Sequence, residues 1–414
     1  MSRPNEPVNI AAGEAGSSNN SVVEKSKFVT VTNGAYTRMV IIGIGYLFPI
    51  SAIWAAFDYW KTLFPDKNIE FVVTCLYQFG SVMTVLVLSF GKSMEFHRRI
   101  LGGFSGQFCC LFVIFLFRWL GLPVNVVYGI LLGLVFLMSV VTGFLDSALL
   151  ALNSQYSPKM QEALQIGIGF STFVSVVYRD ITKLISTSQA DSTSIYFLAA
   201  LATVIVCIAS YVSLMRMPIS AHIREQKKDS TQPLLEKQED EQVNIWHVLR
   251  RVWFNELVIF VQFVLTTACY PAILTAIPCY TLKALAPAHW YQTILLSVFT
   301  VFDVIARFCV RHRGPLYYGN IWITAVIRMA IFPLVVLCAT GTFRNDWFSM
   351  FIVALFGFGN GFSGSLSLIT INEIPGLTGP ELKATGRFSA VAVNSGLCIG
   401  GFVAMGLGVW LGLA

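Results

Sequence analysis

The sequence predicts an all-α polytopic membrane protein whose eleven transmembrane helices divide into halves of six and five. Three observations predict it. Of 414 residues, 55% are hydrophobic and only 12% are charged, against about 25% charged in an ordinary soluble domain. The apolar residues fall into runs of roughly 20, the length a helix needs to cross a bilayer. The longest polar insert then splits those runs six to five. The formal net charge of +6 carries no nucleic-acid reading, because the positive side chains sit mostly at the ends of apolar runs, where orientation signals belong.

Residues 1–35 form a polar tail rich in Asn, Ser, Glu and Gly, expected to be disordered and cytosolic. No short apolar core with a small-residue cleavage site follows directly, so span one is expected to be an uncleaved insertion signal. The spans lie near 37–58, 71–91, 100–119, 123–151, 162–184, 194–215, 253–278, 291–310, 319–340, 347–371 and 388–412. The fourth is long and carries Asp146. The fifth is the weakest, because Arg179 and Asp180 interrupt its later part. Residues 217–250 mix both signs without apolar periodicity and read as a cytosolic linker. They separate a six-helix bundle over 36–216 from a five-helix bundle over 251–414.

Loop charges set the expected orientation. Lys25, Lys27, Arg38, Lys92, Arg98, Arg99, Lys159, the central insert, Arg311, Arg313, Lys383 and Arg387 share one side if there are eleven spans. Lys61, Lys67, Lys283 and Arg344 are the main exceptions opposite. The N-terminus is therefore placed in the cytosol and the C-terminus outside or in a lumen. The sequon Asn19-Asn20-Ser21 falls on the cytosolic side, where it is expected to stay unglycosylated. Plasma membrane is the expected location and an internal membrane the alternative. The acidic dileucine-like stretch from Asp229 to Leu234-Leu235 is one residue too long to weigh. The nine cysteines lie in or beside apolar runs and read as small packing residues rather than metal ligands.

Chemistry concentrates in a few buried ionisable groups, which are costly in a membrane span and mark solute or ion pathways. Asp303 and Arg307 in span eight are one helical turn apart and leave the same face. Either they face a central cavity, Asp accepting and Arg donating to a polar solute, or they lock span eight against a neighbour. Asp146 has no counter-charge within a turn, so a partner must come from another helix, with Arg179 and Arg307 as candidates; a solute contact and a protonated carboxyl are the alternatives. Arg179, Asp180 and Lys183 read as side chains reaching toward the non-cytosolic interface. Trp54 and Tyr77 are deep aromatics suited to stack on a planar solute. Small residues and prolines, such as Gly357 to Gly364 along span ten, permit close helix contact and bending. There is no Walker A loop, no HExxH and no GxSxG, so neither an ATP-driven pump nor an enzyme is expected, and no cofactor.

Several segments occur in order: GYLFPISAIWAAFDYW in span one, Tyr77-Gln78 in span two, Leu145-Asp146-Ser147-Ala148 in span four and GIGFSTFVSVVYRDITK in span five. Tyr270-Pro271, TVFDVIAR, IRMAIFP and FGFGNG follow in spans seven to ten. Together, over about residues 36–412, they resemble the equilibrative nucleoside transporter family, in the plant and protist branch that includes kinetoplastid purine transporters. The resemblance implies a major-facilitator-type fold with a solute site between the halves. Carried over by position, solute contacts fall on Leu47, Ile50 and Trp54, on Tyr77, on Leu150, and on Asp303 with Arg307, which in the family are thought to meet the ribose hydroxyls or the base. Three positions depart from the family pattern: its span-one Trp is Ile50, the following Asn is Ser51, and its span-four Gln is Leu150. These changes remove an aromatic ring and two amides, which could favour a nucleobase or a narrower range of nucleosides.

The expected activity is transport of nucleosides or nucleobases, purines favoured, by alternating access and facilitated diffusion. Proton symport is the alternative, with Asp58, Asp146 and Asp303 as candidate carriers and Arg179 in the charge network. A different small polar solute on the same fold is a further alternative. The expected partners are the solute and the lipid bilayer.

Overall fold

The computed structural model describes residues 31–90, 96–153, 156, 158–186, 188–221 and 245–412. A few side chains inside these ranges, including Leu150 and Lys383, lie outside the description. So do the N-terminal tail to residue 30 with its sequon, Lys92, and the insert 222–244 with its dileucine.

The described residues are helical throughout, without strands. In chain order the helices are α1 (Asn33–Ala55), α2 (Phe57–Leu63), α3 (Ile69–Phe90), α4 (Phe96–Leu120), α5 (Val124–Asn153), α6 (Pro158–Ile185) and α7 (Gln189–Arg216). Then follow α8 (Ile245–Cys269), α9 (Ala272–Ala276), α10 (Trp290–Cys309), α11 (Trp322–Ala339), α12 (Asp346–Thr370) and α13 (Gly379–Trp410). All but α2 and α9 are long, which gives eleven long helices among the described residues, and ten are apolar and long enough to cross a membrane. The exception is α6, the weak fifth span. Its charged and amide side chains lower its apolarity, and its place in the bundle comes from packing against α1, α7 and α10. The chain is a multi-pass membrane protein.

Local chemistry fixes the helix ends. Thr32 caps α1 by accepting from Ala35 N, and Asn345 caps α12 by accepting from Trp347 N and Phe348 N. Thr378 and Glu381 form a capping box on α13. Span one stops earlier than expected, at Ala55, where the chain bends into the short α2. Pro271 follows the end of α8, since proline lacks the N–H that would continue the helix. The helix α8 also begins eight residues before the expected start of span seven, so residues 245–250 of the expected linker are already helical.

Two faces can be defined: the proximal face, where α1 begins, and the distal face, where α1 ends. In the first half α1 packs on α6 and α7, while α5 packs on α3 and α4. In the second half α8 packs on α13 and α10 packs on α12. The halves meet along two seams, α3 with α13 and α6 with α10. Close approach rests on glycine. A Cβ at Gly43 of α1 would stand 2.6 Å from the Leu164 carbonyl oxygen of α6. On α12, a Cβ at Gly357 would stand 2.5 Å from the Phe299 carbonyl oxygen of α10, and one at Gly361 would strike the Asp303 backbone. Without a hydrophobic force between helices in lipid, such small-residue contacts supply the packing.

Candidate functional site

The span-eight pair forms as its spacing predicts. Arg307 Nε donates to Asp303 Oδ2 at 2.9 Å. Asp303 is buried, and the bare face of α12 lets Asn360 donate to its other oxygen at 2.7 Å. Asn360 in turn accepts from Thr266 Oγ1 at 2.5 Å and from Arg328 Nη2 at 3.2 Å. Arg328 also donates to the carbonyl and side-chain oxygens of Gln262, at 2.9 and 2.8 Å. It has no ion-pair partner among the described residues, and its guanidinium lies 5.0 Å from the Phe356 ring centre. Asp303 is thus the carboxylate nearest two arginines, one bonded directly and one through an amide.

Arg307 also crosses between the halves. Its Nη1 donates to Ser365 Oγ at 3.1 Å on α12 and to the Gln165 carbonyl at 3.3 Å on α6. The missing Cβ of Gly169 leaves room for its side chain. The pair thus ties α10 to its neighbours, with Asp303 buried and Arg307 keeping partial exposure at the seam.

A second cluster lies at the distal ends of α2, α6 and α7. Arg179 grips Asp58 with both arms, Nε to Oδ1 at 3.0 Å and Nη2 to Oδ2 at 2.7 Å. It also donates to Ser192 and Thr193. Its exposure is 0%, which corrects the expectation that it reaches to the interface. A planar fork paired with a carboxylate and two hydroxyls can be buried. Lys183 approaches Asp58 at 3.3 Å, donates to Thr293 Oγ1 at 3.0 Å and sits 4.5 Å from the Trp290 ring centre. Ser297 donates to Asp180 at 2.7 Å. Thr293, Trp290 and Ser297 all belong to α10, so this cluster ties the halves distally. Beside it a small cavity is lined by Asp58, Lys61, His289, Gln292 and Thr293. Burial and the nearby Lys61 hold the His289 imidazole below its ordinary value of 6.5.

Asp146 meets neither Arg179 nor Arg307. Its partner is Asn394 of α13, whose Nδ2 donates at 2.8 Å. Arg179 is already engaged by Asp58 and Arg307 by Asp303, so neither guanidinium is left for it. The same asparagine accepts from Ser81 Oγ at 2.8 Å.

Of the other solute-site residues expected from sequence, Ile50, Trp54 and Tyr77 are buried and Leu47 is half-buried. The side chain of Leu150 lies outside the described residues. Trp54 meets Tyr77 edge-on at 5.9 Å and Tyr270 at 6.0 Å, and Tyr270 stacks on Phe299 at 4.6 Å. This aromatic wall bridges α1 and α3 of the first half to α8 and α10 of the second. Within it Ser51 Oγ, Trp54 Nε1 and Tyr270 Oη are buried without a hydrogen-bond partner among the described residues. Sequence reading missed Asn360, Arg328 and Gln262. Asn360 sits in the quoted FGFGNG and Arg328 in IRMAIFP, and an intramembrane arginine was the available signal.

The nucleoside transporter family model matches residues 132–407. Equilibrative nucleotide transporter 8 of Arabidopsis thaliana is 24% identical over 380 residues, covering 89% of this chain and 94% of that protein. Nucleoside transporter 2 of Leishmania donovani is 26% identical over 174 residues, 42% of this chain and 34% of that protein. Among solved structures, a D-xylose–proton symporter superposes with a TM-score of 0.62 at 15% identity, covering 90% of this chain and 88% of that one. A major facilitator superfamily fucose–proton symporter gives 0.51 at 12% identity, covering 91% and 97%. These likenesses establish the major-facilitator-type fold.

Proposed function

Because the chain belongs to the nucleoside transporter family, as a membrane transporter and not an enzyme, we propose that it moves nucleosides or nucleobases, purines favoured, by alternating access and facilitated diffusion. The observation that carries this reading is the Asp303–Arg307 pair at the seam. Asp303 is buried, Arg307 keeps partial exposure, and the pair is bonded to both halves of the molecule. In this reading Asp303 accepts hydrogen bonds from a ribose or base donor while Arg307 donates to an acceptor. The planar base lies against the Trp54–Tyr77–Tyr270 wall, where unpartnered polar atoms find partners in the solute. Ile50 and Ser51 narrow that wall, and Leu47 adds to its apolar lining.

The cycle follows from what ties the halves at each face. Distally the ties are buried or part-buried: Lys183 to Thr293, Ser297 to Asp180, and Trp54 against Tyr270. Proximally the ties are the largely solvent-exposed Arg311–Glu162 ion pair, of a kind that contributes at most about 1 kcal/mol, and the single 3.3 Å bond from Arg307 to the Gln165 carbonyl. The form described here therefore opens more readily to the proximal face. With the N-terminus placed in the cytosol by the loop positives and the plasma membrane as location, that face is cytosolic.

Proton symport is the second reading, and Asp146 favours it, being a buried carboxylate without a cation among the described residues. Uptake of labelled adenosine at pH 5.5 and 8, with and without a gradient, separates the two. Facilitated diffusion predicts equal rates; a requirement for the gradient assigns symport. Competition by glucose but not by uridine or hypoxanthine would instead reject the nucleoside reading.

A further inference from the structure

We propose that Asn394 is the pivot on which the two halves turn, a positioning residue that sets the rate of switching rather than the affinity for solute. This rests on the alternating-access reading above.

Asn394 lies near the middle of α13 and is 4% exposed. One amide ties three helices from both halves. Its Nδ2 donates to Asp146 Oδ2 of α5 at 2.8 Å and to the Ala390 carbonyl of its own helix at 2.9 Å. Its Oδ1 accepts from Ser81 Oγ of α3 at 2.8 Å. Both amide N–H groups and the amide oxygen are engaged, and the group sits on the α3–α13 seam. On the distal side of it α13 packs on α3 at Gly401, where an added Cβ would stand 3.6 Å from Cys75, an ordinary contact. On its proximal side Ser389 turns back into its own half and donates to Glu256 at 2.9 Å. Among the described residues, Ser81 and Asp146 thus bond Asn394 across this seam at mid-depth, where rocking about the seam displaces groups least.

The opposing carboxylate needs this amide. Asp146 is buried with no ion-pair partner among the described residues. Beyond Asn394, Tyr46 of α1 hydrogen-bonds it and Tyr77 of α3 faces it, and these two are the titratable groups turned toward it. A buried carboxylate that loses a donor is left with desolvation uncompensated, and a rocking motion that broke this contact would meet that cost in every cycle. The contact therefore persists while the ends of the seams open and close.

The test is a swap. Asn394→Asp puts two carboxyl groups against each other, which cannot both ionise at short range. The expected result is a tenfold or greater fall in maximal uptake rate at pH 7.5, with several-fold recovery at pH 5.5 and KM within about threefold of native. Asn394→Leu is expected to be slow at both pH values. Combining Asn394→Asp with Asp146→Asn reverses the amide and the carboxylate across the seam. Tyr46, Ser81 and the new amide then keep matched donors and acceptors, so uptake is expected to recover well above that of Asn394→Asp alone at pH 7.5. Rates are normalised to folded transporter by detergent-solubilised monodisperse fraction. Native-like uptake by Asn394→Leu, or a double variant no better than the single one, overturns the proposal. A loss seen only in KM also overturns it, by placing Asn394 in solute binding. If the native chain shows no saturable nucleoside or nucleobase uptake, the functional reading fails first and independently.

Discussion

Gly361→Ala tests how the second half carries the buried Asp303 carboxylate. Gly361 of α12 lies against the backbone of Asp303 on α10. A Cβ there would stand 2.8 Å from the Asp303 carbonyl carbon and closer still to its oxygen, where ordinary contact begins at 3.4 Å. Helical backbone cannot swing aside as a side chain can, so α12 and α10 must part by about 1 Å. Overpacking of this kind costs about 1–3 kcal/mol. The shift falls on Asp303, whose bonds to Arg307 and Asn360 are already 2.9 and 2.7 Å. Gly364 of the same helix provides the control, since nothing lies within 4 Å of a Cβ there. Both substitutions gain about 1 kcal/mol of helix propensity, so their difference isolates the clash. Adenosine uptake and thermal unfolding of the purified variants read it out. Gly361→Ala is expected to lose at least tenfold in uptake and to unfold at lower temperature, while Gly364→Ala stays within twofold of native. Equal behaviour of the two would refute the close-packing argument.

Further expectations follow from the same geometry. Asp303→Asn keeps the shape but strands Arg307 and leaves Arg328 farther from any carboxylate. Breaking a buried pair costs about 3–5 kcal/mol, and with Arg307 part-exposed the lower end applies. Uptake efficiency is expected to fall about a hundredfold, at roughly 1.4 kcal/mol per factor of ten; normal transport by folded protein would remove Asp303 from the site. Arg179→Met leaves Asp58 with only the more distant Lys183 and is expected to lower the unfolding temperature markedly, while Arg313→Met, which breaks a half-exposed pair with Glu373, changes stability by less than about 1 kcal/mol. His289 has a folded pKa below 6.5 because it is buried near Lys61. In that range the unfolded chain binds more protons, so stability falls as pH drops through 6.5 and levels off below the folded value. His289→Gln is expected to flatten the unfolding temperature between pH 7 and 5; an unchanged slope would assign the loss elsewhere.

What could be read from sequence was what is local. Asp303 and Arg307 are four residues apart on one helix, so their pairing follows from helix geometry. Eleven long helices followed from apolar length, and the weakness of α6 from its charges. The partners that lie on other helices were not legible. Asp146 meets Asn394 across 248 positions, and Asp58 meets Arg179 across 121. A one-dimensional pattern holds no information on which of several buried cations is already engaged. Arg328 was passed over inside an apolar run, although its cost in a membrane is as large as that of Arg307. The break at Ala56 was hidden because the apolar pattern runs on unbroken into α2.

The central claim is that the Asp303–Arg307 seam binds a nucleoside or nucleobase and that the protein carries it across a membrane. Uptake of labelled adenosine into liposomes holding the purified protein tests it most directly, with uridine, hypoxanthine and glucose as competitors and the Asp303→Asn variant alongside. Saturable uptake, competed by nucleosides or hypoxanthine but not by glucose and lost in the variant, is the predicted result. Absence of uptake by folded native protein, or uptake untouched by Asp303→Asn, would contradict it.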